Sequence, residues 1–202
     1  MRVGIFGGTF DPVHNAHLFV AEGARVALGL DRVVFLPSKG GRHRDGAPSA
    51  PARERVTMIR LAIAANPAFS LDESDLEGAA TGFTADVLPV LRERYPGDAL
   101  TFIVGGDSLV ESPWQRFDEV LDYLDAFAIA PRADRQLDGL RSLAATLPPD
   151  RAAKICIMDL PSLTESATLV RAQLAGKRTV RYIVPEPVWR YIVEHGLYGD
   201  GT

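Results

Sequence analysis

Five short apolar runs punctuate the chain: RVGIF (2–6), RVVFL (32–36), LTFIV (100–104), AFAIA (126–130) and KICIM (154–158). Between them lie longer stretches in which apolar residues recur at i, i+3 and i+4. A short run without polar alternation fits a strand covered on both faces, and alternation with helical segments fits successive βαβ units. The pattern predicts an α/β fold, a Rossmann-like doubly wound parallel sheet between helix layers.

The helical segments can be placed by their punctuation. One starts near Asn15 or Ala16, sets Leu18, Ala21, Ala24 and Leu28 on one face, and stops at Gly29. A second carries Val56, Ile59 and Ile63 and is expected to end at Asn66-Pro67. A third carries Val87, Leu88, Leu91 and Tyr95. Pro89 lacks the N–H that a helix interior needs and predicts a late start or an irregular first turn. No long repeat or low-complexity tract interrupts this order. With 202 residues, 47% hydrophobic and 24% charged, one domain over 1–202 is the expectation.

Charge narrows the partners. A net charge of −4 and a pI near 5.6 leave no basic footprint for a nucleic-acid backbone. The opening MRVGIFGG breaks its apolar run at glycines, so it reads as neither a signal peptide nor a membrane span, and a cytoplasmic location is the expectation. The one cysteine, Cys156, lies inside an apolar run and reads as packing. Against the acidic background, the segment at 38–52, SKGGRHRDGAPSAPA, is basic and rich in glycine and proline, and reads as a mobile surface loop.

After the first strand comes GGTFDPVHNAH (7–17), which holds two of the four histidines. A tight turn from strand to helix aims backbone N–H groups at one spot, and glycines let a ligand approach them. His14 and His17, three apart, share a face or flank the helix start. Three readings compete: structural capping, metal ligation, and phosphate binding with the imidazoles as donors. Two histidines without a third ligand at a familiar spacing speak against metal. Their conjunction with the glycines favours phosphate.

GGTFDPVHNAH resembles the signature of the nucleotidyltransferase superfamily, a (His/Thr)-x-Gly-His shortly after a glycine turn, and with GGTFDP in front it is similar to the nicotinate mononucleotide adenylyltransferases. The resemblance extends through PSKGGRHR, GFTADVL, VGGDSL, SPWQRFDEVL, SATLVR and PEPVWRYIVEHGLY, the last two falling in a C-terminal helical segment near 162–198. Four departures stand out: Ala16 for glycine, Arg42 for proline, Phe83 for tyrosine, and Glu165 where an apolar residue is common.

The implied reaction is attack by the 5′-phosphate of nicotinate mononucleotide on the α-phosphorus of ATP, releasing pyrophosphate. Positioning and charge stabilisation supply the rate, because the nucleophile arrives ionised. On this resemblance Gly7, Gly8, Thr9 and Phe10 line the ATP site, His17 donates to the α-phosphate and His14 serves the triphosphate. His43 and Arg44 compensate the leaving pyrophosphate, with Lys39 and Arg42 read as solvated loop charges. Ser166, Thr168 and Arg171 make a helix-start phosphate cradle, unless Ser166 is simply a cap. Asp107 accepts from a ribose hydroxyl or caps the next helix. Thr84 and Trp114 serve the pyridine side, with core packing open for Trp114, and Arg132 meets the mononucleotide phosphate. Mg²⁺ is implied with ATP, carried by the nucleotide and water. A sister enzyme using nicotinamide mononucleotide or phosphopantetheine, and a non-catalytic nucleotide binder of the same fold, are the alternatives.

Overall fold

The computed structural model describes residues 1–39, 49–77, 83–106, 114–131 and 134–199. In chain order the elements are β1 (Arg2–Gly8), α1 (Asn15–Ala27), β2 (Arg32–Pro37), α2 (Ala52–Ile63), β3 (Phe69–Leu71), α3 (Thr84–Arg94) and β4 (Ala99–Gly105). They continue with α4 (Phe117–Asp122), β5 (Ala126–Ala130), α5 (Asp134–Thr146), α6 (Pro149–Ala152), β6 (Ile155–Ile157), α7 (Ala167–Ala175) and α8 (Glu186–Glu194).

The strands form one parallel sheet in the order β3-β2-β1-β4-β5-β6. Chain progress reverses direction between β1 and β4, so connections leave that point to both sides and open a crevice at the strands' carboxyl ends. Register brings Gly7 beside Leu36 and Gly8 beside Pro37 there.

Alternate strand residues feed two cores. Phe6, Val33, Phe35, Ile103 and Ala128 point to one face, covered by Ala21 and Ala24 of α1, Met58 and Ile59 of α2, Val170 of α7, and Val188 and Ile192 of α8. Val3, Ile5, Val34, Leu36, Phe102 and Phe127 point to the other, covered by Val87, Leu88 and Leu91 of α3, Val120 and Leu121 of α4, and Leu140 of α5. Burial on both faces is why these strands read as unbroken apolar runs.

Helix ends follow their punctuation in α1. Gly29 takes φ +60, and the Gly29 and Leu30 N–H groups return to the carbonyls of Val26 and Arg25, closing the last turn. Other expectations need correction. Pro89 does not delay α3, which begins at Thr84 and keeps the proline inside it, because Ala85, Val87, Leu88 and Leu91 are all buried along the face and offset the missing bond. The second helix ends at Ile63, short of Asn66-Pro67, with a turn linking it to the edge strand β3. That strand, FSL, is three half-buried residues and has too little pattern to be read in advance. Cys156 is half-buried on β6 against the first core.

Candidate active site

The turn between β1 and α1 is built from both sides. On its strand side, Gly7 lies so close to Phe102 that a Cβ there would stand 2.6 Å from the ring. Phe10, buried and at φ +50, packs edge-on against Phe6 at 5.4 Å and tilts against Phe35 at 5.5 Å. Its ring also meets His17 edge-on at 5.0 Å, so the turn's apolar underside fixes the imidazole.

His14 is the N-cap of α1 and His17 its third helical residue. Their rings stack at 3.7 Å with 29° between planes, His14 fully buried and His17 half-exposed. The His14 backbone N–H donates to His17 Nδ1 at 3.2 Å. A backbone N–H can only donate, so Nδ1 is an acceptor and the ring proton sits on Nε2. The bond selects which tautomer the ring holds. His17 therefore presents an N–H donor on its far edge.

Arg171, on α7, reaches back across the site. Its Nη1 donates to the Asp11 carbonyl at 2.6 Å, lies 3.8 Å from Asp11 Oδ2, and its Nη2 donates to Thr168 Oγ1 at 3.4 Å. Ser166 is the N-cap of α7: its Oγ accepts from the Leu169 N–H at 3.1 Å, so the capping reading of this residue is realised. Thr84 opens α3, whose first-turn N–H groups and dipole favour an anion. Trp114 is half-buried and meets Phe102, Phe117 and Phe127 edge-on at 5.9, 6.0 and 5.2 Å, so packing accounts for part of its surface.

His14, His17, Gly7, Gly8, Thr9 and Phe10 thus form one turn with Arg171 and Thr168 beside it. Arg42, His43, Arg44, Asp107 and Arg132 lie outside the described residues. Lys39 is half-buried at the start of the basic segment.

Sequence reading passed over the groups beneath the turn. Asp11 is buried, and its carboxylate accepts from the Ser49 N–H at 2.7 Å, the Ala50 N–H at 3.0 Å and the Tyr198 hydroxyl at 2.8 Å. Burial, together with Asp11 beside it, pushes the Tyr198 phenol far up. Arg55 on α2 is fully buried and donates to the Thr9 carbonyl at 2.6 Å. Nearby, burial pushes the Asp75 carboxyl up to about 6, against the pull of Lys39 and Arg55. Burial also acts on Asp72, but bonds from Ser74, Arg94 and Tyr95 outweigh it and hold that carboxyl below the usual range. One signal was legible: Arg55 falls in register with Ile59 and Ala62, on the apolar face of its helix.

Among the described residues no group of three or more His, Cys, Asp or Glu side chains could hold a metal ion, and no helix is long and apolar enough to cross a membrane.

Comparison with known proteins places the fold and the family. The cytidylyltransferase-like family model matches residues 5–172. A Bacillus subtilis protein named nicotinate-nucleotide adenylyltransferase is 32% identical, covering 98% of each chain. A Symbiobacterium thermophilum protein named "Probable nicotinate-nucleotide adenylyltransferase" is 36% identical, covering 99% of each. The fold matches a Plasmodium falciparum nicotinic acid mononucleotide adenylyltransferase solved with NaAD, with a TM-score of 0.77 at 19% identity over 98% of this chain and 97% of that one. By these matches and by the turn it builds, this chain belongs to the cytidylyltransferase-like family and, within it, to the nicotinate-nucleotide adenylyltransferases.

Proposed function

We propose that this chain transfers AMP from ATP to nicotinate mononucleotide, giving nicotinate adenine dinucleotide and pyrophosphate in NAD biosynthesis. A 5′-phosphate oxygen of the mononucleotide forms the new bond to the α-phosphorus, and the bond from that phosphorus to the bridging oxygen breaks, pyrophosphate leaving with the electron pair. No covalent enzyme intermediate is needed. The observation that carries this reading is the orientation of His17, whose Nδ1 accepts from the His14 N–H, which puts the ring proton on Nε2 and makes that edge the donor. A donor fixed before the substrate arrives stabilises the charge that develops on the α-phosphate oxygens without reorganising.

The remaining roles follow the same reading. His14, whose ring has no exposed surface here, serves the adjoining triphosphate oxygens. Gly7, Gly8, Thr9 and Phe10 bring backbone against the nucleotide. Thr168 and Arg171 cradle phosphate at the start of α7, with the Ser166 hydroxyl free to donate its proton while its oxygen caps the helix, and His43 and Arg44 meet the leaving pyrophosphate. Asp107 takes the ribose, Arg132 the mononucleotide phosphate, and Thr84 and Trp114 the nicotinate ring and carboxylate. Mg²⁺, bound to the triphosphate and water, would neutralise phosphate charge; no step above depends on a protein ligand to it. The whole chain acts as one nucleotidyltransferase domain in the cytoplasm.

The test is a coupled assay of the full chain with ATP, Mg²⁺ and either the acid or the amide mononucleotide. Turnover is expected with the acid at higher kcat/KM. A preference for the amide would overturn the acceptor assignment, and ATP binding without pyrophosphate release would make the protein a binder only. His17→Ala is expected to lower kcat about a hundredfold, the equivalent of about 3 kcal/mol of transition-state stabilisation.

A further inference from the structure

Arg55 is the largest fully buried side chain among the described residues, and burying a guanidinium is costly unless its donors and charge are answered. Its Nη1 donates at 2.6 Å to a main-chain carbonyl, that of Thr9, inside the turn where the nucleotide is proposed to bind. Its Nε is buried without a hydrogen-bond partner among the described residues. Asp11, Tyr198 and Asp75 act on it electrostatically, and desolvation pulls its pKa down. Asp75 is itself buried, with Oδ1 unpartnered among the described residues, and its charge acts favourably on the guanidinium.

The peptide bond between Thr9 and Phe10 is trans, the cis bond of this turn lying between Asp11 and Pro12. In a trans peptide the N–H points opposite to the C=O. A guanidinium that holds the Thr9 carbonyl from within therefore fixes the Phe10 N–H pointing away from α2. Arg171 grips the next carbonyl but one, that of Asp11, at 2.6 Å, so the turn is held at two points by two cations. Phe10 at φ +50 is a conformation that a bulky residue keeps only when its surroundings dictate it.

We propose that Arg55 is a positioning residue for adenylyl transfer: by holding the Thr9 carbonyl it turns the Phe10 N–H into the site as a donor to nucleotide phosphate oxygens, and places a positive charge beneath the turn. Arg55 touches no substrate. This deepens the adenylyltransferase reading and rests on it.

Arg55→Met and Arg55→Lys are compared with wild type in full-length protein, with circular dichroism and thermal melting beside steady-state kinetics. Both folded variants are expected to lose tenfold or more in kcat, Arg55→Met more than Arg55→Lys, with KM for nicotinate mononucleotide changed less than threefold. A folded Arg55→Met with kcat within twofold of wild type overturns the proposal, since a structural role alone lowers the melting temperature and spares turnover. A second measurement needs no variant at Arg55 to fold. In wild type labelled with ¹⁵N-phenylalanine, the Phe10 amide, assigned by its loss in Phe10→Leu, is expected to shift on titration with inorganic pyrophosphate or a non-hydrolysable ATP analogue. An unmoved resonance under saturating ligand overturns the proposal. Failure of wild type to make dinucleotide sinks the functional reading instead, while the amide titration still reports on the turn.

Discussion

At the scale of single residues, the charges under the turn set the pH behaviour. Asp75 is held by burial at about 6, above the ordinary aspartate value, with Lys39 and Arg55 opposing the shift and Asp86 adding to it. The folded protein therefore binds this proton more tightly than the unfolded chain. Stability from the group is present in full below pH 4 and is lost as pH rises through 6. Asp75→Asn is expected to be more stable than wild type by roughly 2–3 kcal/mol at pH 8, the gain shrinking between pH 6 and 4 and vanishing below. Urea melts across that range check it; a gain independent of pH would mean that ionisation is not the cause. The histidine pair was visible in the sequence as a spacing of three, but the tautomer was not. It depends on one backbone N–H reaching Nδ1, which requires the helix to start at Asn15 with His14 as its cap.

At the scale of elements, α3 shows where local preference yields. Pro89 leaves the Ala85 carbonyl without its helical partner, yet the helix runs unbroken from Thr84 to Arg94 because its inner face is buried. Pro89→Ala restores that bond and is expected to stabilise by about 1–2 kcal/mol, raising Tm by roughly 4 °C in calorimetry. No gain would mean that the proline's fixed φ already offsets the lost bond. The start of this helix carries Thr84, proposed above for the nicotinate side, and Arg116 at the start of α4 pairs with Asp86 in its first turn at 2.5 Å. Helix α1 was legible to within a residue at both ends, since a capping residue and a glycine are local signals. The strand β3 was not, because three half-buried residues at a sheet edge carry no period.

At the scale of the whole molecule, the C-terminal region closes over the N-terminal turn. Tyr198 bonds Asp11 across 187 positions, and Tyr191 of α8 bonds Glu54 of α2 at 2.6 Å. Tyr198→Phe removes one buried bond from Asp11 and is expected to cost about 1 kcal/mol, a fall in Tm of roughly 2–4 °C. An unchanged Tm would show that this closure adds nothing to stability. Residue order alone carried the alternation of strand and helix, the covered faces and the residue types of the turn, because period, caps and glycine turns are written in neighbouring residues. Tertiary structure alone decided that Arg55, Asp11 and Asp75 are buried together and which carbonyls the two guanidinium groups hold. Whether a charge is buried depends on what the distant chain lays over it, and no local period records that.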